Sequence, residues 1–159
     1  MTKRAIQTVL VLLSAFAGPT LAEHPPEFDP VVKIFSGLSY SDKELIKSVT
    51  TTDFLLLEMG EVWDRDFLLP LVKADGSKRD NYFSVISVSR FDGVALINYW
   101  NKATIIKDDA ESSLAWLESV VAVETETGWI LKQMHSTRID PEQIPKDVEL
   151  TLMMVEQNK

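Results

Sequence analysis

The segment from Gly128 to Arg138 restricts the fold most, because its side chains alternate in character along its whole length. In an extended strand, successive side chains point to opposite sides. One face should then carry Trp129, Leu131, Gln133, His135 and Thr137, and the other Ile130, Lys132, Met134, Ser136 and Arg138. The first face becomes more polar towards its end, which is typical of a strand that begins in a core and ends at a pocket or an interface. The rest of the chain must supply the strands and helices that pack beside this strand.

Three more predicted strands precede this segment, and the four together form an antiparallel meander. The aspartate-glycine pair at 92–93 is a strong signal for a two-residue hairpin. Residues 124–128 indicate a second hairpin, and the polar run 107–113 indicates the turn between them. The strands bounded by these turns are 82–91, 94–106, 114–123 and 129–139.

The segments before the meander favour helices. Residues 23–30 are rich in proline and predict an extended lead-in, and residues 31–38 are a short apolar stretch of one or two helical turns. Ser41 followed by Glu44 matches a capping box, which predicts a helix that continues to about Val49.

The first 22 residues have the three parts of a secretory signal peptide. Lys3 and Arg4 provide a positive start, residues 5–17 are mostly apolar, and residues 20–22 place small side chains at the cleavage-determining positions. We expect cleavage after Ala22; the alternative is an uncleaved N-terminal anchor. The mature protein is then expected to be secreted, most simply into a periplasm, and to keep no membrane segment.

The order of elements predicts an α+β fold. A strand at 50–59 and a further helix capped by Asp64 complete the N-terminal half, while the tail after Pro145 fits either a helix or a strand. Helices packed on one side of a curved antiparallel sheet would leave a cone whose mouth can hold a ligand. The predicted segments are a signal peptide at 1–22, a lead-in at 23–30, one domain at 31–139 and a C-terminal tail at 140–159.

Charge and cysteine content exclude several classes of protein. Residues 1–22 hold two of the 16 basic residues and none of the 24 acidic ones, so the mature chain has a net charge of −10. Nucleic-acid binding needs Lys and Arg to neutralise phosphates, so this balance argues against a nucleic-acid partner. The chain has no cysteine, which excludes thiol chemistry and a lipoprotein anchor.

Three segments, 54–63, 92–97 and 128–135, resemble the nuclear transport factor 2-like superfamily, in particular its SnoaL-like branches and the association domain of calcium/calmodulin-dependent kinases. The resemblance covers about 31–139. Its best motif is a Gly-Trp hairpin exit with a histidine six residues after the tryptophan, here His135, and a Ser or Thr two residues later, here Thr137. Many members carry another histidine where this chain has Gln133.

The resemblance implies a cone with a curved sheet, and a homodimer formed through that sheet. Members of the superfamily use the cone to isomerise, cyclise or dehydrate small molecules, to bind them, or only to assemble. In the ketosteroid-isomerase branch a carboxylate near the end of the first strand is the base. The nearest carboxylate here is Glu58, although a direct alignment places Leu57 at that position.

The candidate catalytic residues are Glu58 and His135. A histidine at a pocket mouth can act as a base or donor near neutral pH, and the simpler interpretation is a structural histidine at a strand end. A glutamate in an apolar cone would have a raised pKa, and the simpler interpretation is an exposed glutamate beside a turn.

The candidate ligand-binding residues combine the polar end of the last strand with aromatic side chains. Tyr99 and Tyr82 could supply phenolic donors, and tryptophans such as Trp63 could line an apolar cavity or belong to the core and a dimer interface. The full predicted set is Trp63, Tyr82, Tyr99, Gln133, His135 and Thr137. No cofactor or metal is predicted, because phosphate-loop, dinucleotide and zinc motifs are absent and the acidic turn at 108–111 lacks the spacing of a calcium loop.

Three functional hypotheses follow. The first is a cavity that binds a small, largely apolar molecule without chemistry. The second is an isomerase, dehydratase or cyclase that uses Glu58 or His135 as base. The third is a homo-oligomeric assembly module with a cone filled by side chains.

Overall fold

The computed structural model describes residues 24–156. Within them the helices are α1 (Asp29–Tyr40), α2 (Lys43–Ser48) and α3 (Arg65–Leu71), with single 3-10 turns at Pro26–Phe28 and Pro141–Gln143. The strands are β1 (Thr50–Glu58), β2 (Glu61–Asp64), β3 (Lys78–Phe91), β4 (Val94–Lys107), β5 (Ala110–Thr125), β6 (Gly128–Ile139) and β7 (Thr151–Leu152). They form one curved sheet in the order β2-β1-β6-β5-β4-β3-β7. The predicted α+β class is confirmed.

The predicted meander is β3 to β6, each strand antiparallel to the next. Asp92 and Gly93 both have positive φ, 25° and 76°, as the favoured two-residue hairpin turn requires. The turn before β5 is shorter than the predicted 107–113. Asp108 and Asp109 both adopt left-handed conformations and reverse the chain by themselves, so β5 begins at Ala110.

The strand β1 pairs with β6 in parallel, Leu56 opposite Met134 and Glu58 opposite Ser136. This pairing brings the N-terminal half of the chain against the end of the meander. On β1, the side chains of Phe54 and Leu56 are buried while Leu55 is exposed. The strand therefore presents its even-numbered residues to the core over this stretch.

The predicted face of the last strand is wrong, because β6 contains a bulge at Lys132. Val121 of β5 pairs with Gln133 and Ala122 with Leu131, which leaves Lys132 without a partner. An extra residue in one strand reverses the alternation beyond it. Leu131 therefore shares the inner face with Met134 and Ser136, whereas Gln133, His135 and Thr137 lie on the outer face.

The N-terminal boundaries also differ from expectation. The lead-in is not extended: Pro26–Phe28 forms a 3-10 turn, and α1 is a three-turn helix that starts at Asp29. Phe28 is completely buried, with its ring 5.0 Å from that of Tyr99 and 5.5 Å from that of Phe83. The lead-in thus contributes to the core.

The cap of α2 is Asp42 and not Ser41. Ser41 has a φ of 57° and ends α1 in the left-handed conformation, so it is not available to open the next helix. The Asp42 carboxylate accepts a hydrogen bond from the Leu45 amide at 2.9 Å. The predicted cap of α3 is confirmed, since Asp64 accepts from the Phe67 amide at 2.7 Å.

The tail adds a short strand at the β3 edge of the sheet. Thr151 and Leu152 of β7 pair with Phe83 and Tyr82. The Val155 amide then donates to Ser36 Oγ at 3.0 Å, which attaches the tail to α1. No helix in the described part of the chain is long and apolar enough to span a bilayer.

Candidate ligand cavity

A cavity of about 120 Å³ lies between the inner face of the sheet and helices α1 and α3. Its apolar walls come from Ile34, Phe35 and Leu38 of α1, Phe54 and Leu56 of β1, Leu68 of α3 and Met134 of β6. Its polar lining consists of Glu58, Arg79, Trp116, Glu118 and Ser136.

Four polar side chains form a row straight across the sheet on this inner face. Glu58 of β1 is opposite Ser136 of β6, Ser136 is opposite Glu118 of β5, and Glu118 is opposite Tyr99 of β4. Asn101 lies two residues beyond Tyr99 on the same strand and face. The bulge in β6 places Ser136 in this row, because without it His135 would face inwards.

Glu118 occupies the centre of the row and is 4% exposed. It accepts hydrogen bonds from Ser136 Oγ and, at 3.1 Å, from Asn101 Nδ2. Burial raises the pKa of this carboxyl to about 7, and the Glu58 carboxylate adds a smaller upward contribution. Hydrogen bonds from its neighbours oppose both effects. Near neutral pH, Glu118 is therefore divided between acid and carboxylate forms.

Two polar atoms next to Glu118 have no hydrogen-bond partner among residues 24–156. They are the Tyr99 hydroxyl and Asn101 Oδ1, both completely buried. The Tyr99 phenol is beside Glu118 without a well-formed hydrogen bond. Burial raises the pKa of this phenol well above its ordinary value, and the neighbouring Glu118 carboxylate raises it further. Buried polar groups in folded proteins usually find partners. Neither Tyr99 nor Asn101 lines the cavity itself, so both atoms lie in the core beside Glu118.

Glu58 lies at the end of β1 with its side chain on the cavity wall. It accepts a hydrogen bond from Trp116 Nε1 at 3.2 Å. The outer positions on either side of Leu56 are Leu55 and Leu57, so Glu58 belongs to the inward set that includes Phe54 and Leu56. Of the two sequence-predicted catalytic candidates, Glu58 reaches the cavity.

Arg79 brings a positive charge into the cavity lining. Its guanidinium carbon is 5.6 Å from the centre of the Phe35 ring and 5.5 Å from that of the Trp116 ring, and its Nε donates to buried Asn81 Oδ1 at 2.9 Å. Arg138 stacks on Trp116 as well, 4.9 Å from the ring centre, but its side chain is exposed.

The remaining predicted site residues lie elsewhere. His135 and Thr137 line an open depression on the outer face, together with Ile86, Leu117 and Ser119. Gln133 is on the outer face too, at a charged groove beside α3.

The aromatic candidates are separated from one another. Tyr82 is on the outer face of β3, because Phe83 points inwards. Trp63 is packed on the core from β2, with Nε1 donating to Glu61 at 2.7 Å. Tyr99 alone among them joins the polar row.

Sequence reasoning missed Glu118 and Arg79. A signal exists for Glu118: in strict alternation it shares a face with Trp116, Val120 and Ala122, and a glutamate on such a face is unusual. The opposite face of β5 is almost as apolar, so the sequence alone does not say which face points inwards. For Arg79 there is no comparable signal, since it precedes the stretch predicted as strand.

The sequence matches no known family profile and no curated protein. Similarity is found in solved structures. A ketosteroid isomerase-like protein from Erwinia carotovora atroseptica superposes with a TM-score of 0.58 at 15% identity, over 72% of this chain and 95% of its own. The chain has the nuclear transport factor 2-like fold.

Two further structures show the range of proteins with this fold. A nuclear transport factor 2-like protein from Rhodospirillum rubrum has a TM-score of 0.60 at 14% identity, over 70% of this chain and 97% of its own. A putative calcium/calmodulin-dependent kinase II association domain from Exiguobacterium sibiricum has a TM-score of 0.55 at 16% identity, over 75% of this chain and 98% of its own. Identities this low establish the nuclear transport factor 2-like fold and no activity.

The cavity has no constellation suited to a metal. In the region 24–156, no group of three or more His, Asp or Glu side chains is arranged to hold an ion. Glu58 and Glu118 instead use their oxygens to accept hydrogen bonds from Trp116, Ser136 and Asn101.

Proposed function

We propose that the protein binds a small molecule in the cone cavity, with the apolar part of the ligand against β1 and α1 and its polar part at Glu58, Ser136 and Glu118. The observation that supports this most strongly is the cavity itself, whose apolar walls on α1, β1 and α3 are combined with the polar side chains of Glu58, Arg79, Glu118 and Ser136. An assembly module gains nothing from charged side chains turned towards a cavity in its interior, since a buried polar group without a full set of partners costs about 1–3 kcal/mol. A ligand bound in the cavity would contact these side chains.

Native mass spectrometry of the mature protein tests this proposal directly. We expect a stoichiometric small-molecule adduct, and its loss in Leu56→Phe, which adds volume inside the cavity. The matched control is Leu57→Phe, one residue along the same strand on the outer face, which should keep the adduct. Retention of the adduct in Leu56→Phe with an unchanged thermal melt would place the ligand elsewhere and contradict the proposal.

The arrangement of Glu58 and Glu118 favours a second candidate, an isomerase-type enzyme. Two carboxyl groups share one apolar cavity, and burial keeps one of them close to half-protonated near neutral pH, as acid–base catalysis requires. Glu58 would be the base and Glu118 the donor. The solved protein from Erwinia carotovora atroseptica is described as ketosteroid isomerase-like. Turnover of the bound molecule, lost in Glu58→Gln, is the measurement that would favour this candidate.

The outer face of the sheet supports a third candidate, self-association. Among the large apolar side chains exposed there are Leu55, Ile86, Leu96 and Leu117. One solved structure with this fold is described as a putative association domain. A second copy of the chain, placed sheet against sheet, would cover these side chains and His135. Self-association is compatible with ligand binding, because the cavity opens on the other side of the sheet.

We also infer export of the mature protein. The support is the sequence pattern of residues 1–22, which lie outside the described residues. Cell fractionation followed by N-terminal sequencing tests it, and a mature N-terminus at Glu23 in the exported fraction is the expected result. Full-length protein in the cytoplasm would contradict it.

A further inference from the structure

The Arg79 guanidinium lies on the cavity wall, although arginine side chains are mostly exposed on protein surfaces. It is held between the Phe35 and Trp116 rings on the cavity wall. Among residues 24–156 its one side-chain hydrogen bond is from Nε to Asn81 Oδ1. The planar fork of donors at the other end of the guanidinium is therefore left for another group.

Burial lowers the pKa of Arg79, while the Glu118 and Glu58 carboxylates oppose this effect and Arg138 adds to it. An arginine stays protonated through such a change. None of the described carboxylates comes within ion-pair distance of it: Glu118 is held by Ser136 and Asn101, and Glu58 by Trp116. A partly desolvated guanidinium without a direct counterion is a receptor for a carboxylate.

We propose, building on the binding function above, that the ligand is a small monocarboxylic acid whose carboxylate pairs with Arg79 and whose hydrocarbon part lies against Phe54, Leu56 and Met134. The guanidinium offers the two parallel donors that a carboxylate accepts. The apolar side chains of β1 and β6 line the same cavity. The acid must be ionised to bind in this way.

The size of the cavity favours a short acid. An apolar cavity of about 150 Å³ accommodates benzene. A slightly smaller space of about 120 Å³ therefore suits an acid of about five or six non-hydrogen atoms, such as propanoate or butanoate. Dicarboxylates are disfavoured, because a second carboxylate would meet Glu58 or Glu118.

Binding of the acid should be linked to protonation of Glu118. The ionisable groups in and around the cavity are Glu58 on β1, Arg79 on β3, Tyr99 on β4 and Arg138 on β6. A ligand carboxylate at Arg79 adds a negative charge to this set and disfavours the ionised form of Glu118. The affinity for the acid should therefore fall as the pH rises from 6 to 8, over which the ligand itself stays ionised.

Isothermal titration calorimetry on the mature protein at pH 6 tests the proposal, with n-alkanoates from acetate to octanoate and the matching primary amides as probes. We expect butanoate to bind at least tenfold more tightly than butanamide. Arg79→Gln should weaken butanoate binding at least tenfold and leave the amide unchanged. The matched control is Arg138→Gln, which removes the exposed guanidinium that also stacks on Trp116. It should change butanoate affinity less than threefold.

The outcomes separate this inference from the general binding proposal. Equal affinity for acids and amides would overturn the carboxylate assignment and leave the binding function in place. Butanoate affinity unchanged in a folded Arg79→Gln variant would overturn the role of Arg79. If Arg79→Gln does not fold, the acid-to-amide ratio of the unaltered protein decides. Failure of all probes to bind, together with an adduct-free native mass spectrum, would overturn both proposals.

Discussion

Glu118 shows at the residue scale how the cone changes the chemistry of a common side chain. Its pKa is raised from 4.5 to about 7, chiefly by burial. At a pH between these two values, Glu118 has released its proton in the unfolded chain but still holds it in the folded protein. The free energy of unfolding therefore falls as the pH rises through this window, by about 3 kcal/mol in total. Below pH 4.5 both states are protonated, and this contribution vanishes.

Replacing Glu118 by glutamine should remove that loss. The difference in unfolding free energy between Glu118→Gln and the unaltered protein should grow by about 3 kcal/mol in favour of the variant as the pH rises from 5 to 8, because the amide has no proton to lose. Asn101 Oδ1, which is unpartnered, can accept from the new amide if the Asn101 side chain turns over. Urea denaturation across this pH range is the measurement.

The control for this prediction is Glu111→Gln, an exposed glutamate on the same strand. Because this side chain is exposed, the substitution should change the free energy of unfolding by no more than about 0.5 kcal/mol. A difference for Glu118→Gln that does not vary with pH would mean that Glu118 titrates at an ordinary pKa.

At the scale of elements, the helices and the four meander strands were predictable, and the inward face of β6 was not. Turn residues with forced conformations, such as Asp92 and Gly93, are visible in the sequence. The bulge at Lys132 is not, because it depends on how β6 fits between β5 and the parallel strand β1. That single extra residue exchanged His135 for Ser136 at the cavity. Glu58, put forward as the carboxylate nearest the end of the first strand, does face inwards, because β1 keeps a regular register from Leu55 to Glu58.

The N-terminal 3-10 turn is fixed to the end of β3 by an ion pair. Arg90 Nε and Nη2 donate to the two oxygens of Glu27, whose side chain is 3% exposed, and these hydrogen bonds lower the pKa of the carboxyl. Arg90→Ala would leave a buried carboxylate unpaired and should lower the free energy of unfolding by about 2 kcal/mol at pH 7.

The effect of Arg90→Ala should shrink in acid, because a lowered pKa stabilises the fold only above the ordinary value and that contribution disappears as the pH falls through the folded one. Denaturation curves at pH 7 and pH 3 provide the comparison. The exposed pair of Lys47 with Glu44 supplies the control: Lys47→Ala should cost about 0.5 kcal/mol or less. An Arg90→Ala effect no larger than this would show that the turn is attached by Phe28 alone.

At the scale of the whole molecule, the outer sheet face is where self-association can be tested. Leu117 lies next to His135 and Thr137 in the outer depression and is 38% exposed. If two copies pack through this face, Leu117→Asp should place charges in the interface and shift the protein towards the monomer by at least tenfold in dissociation constant. Sedimentation velocity measures it.

The control for the interface is Phe67→Asp, an exposed apolar residue on α3, outside the sheet. It should leave the association unchanged. A monomeric unaltered protein would remove self-association from the candidate functions and leave the cavity proposals untouched.

The parallel pairing of β1 with β6 has a consequence for how the chain reaches its native state. Leu56 meets Met134 only after nearly the whole domain has been made, and contacts between distant parts of a chain form slowly because the intervening loop must first be closed. The cavity wall formed by Phe54 and Leu56 is therefore incomplete until the last long strand is present. If the chain is exported, this delay keeps it unfolded during synthesis, which is the state that passes through a translocation channel. The cone would then fold on the far side of the membrane.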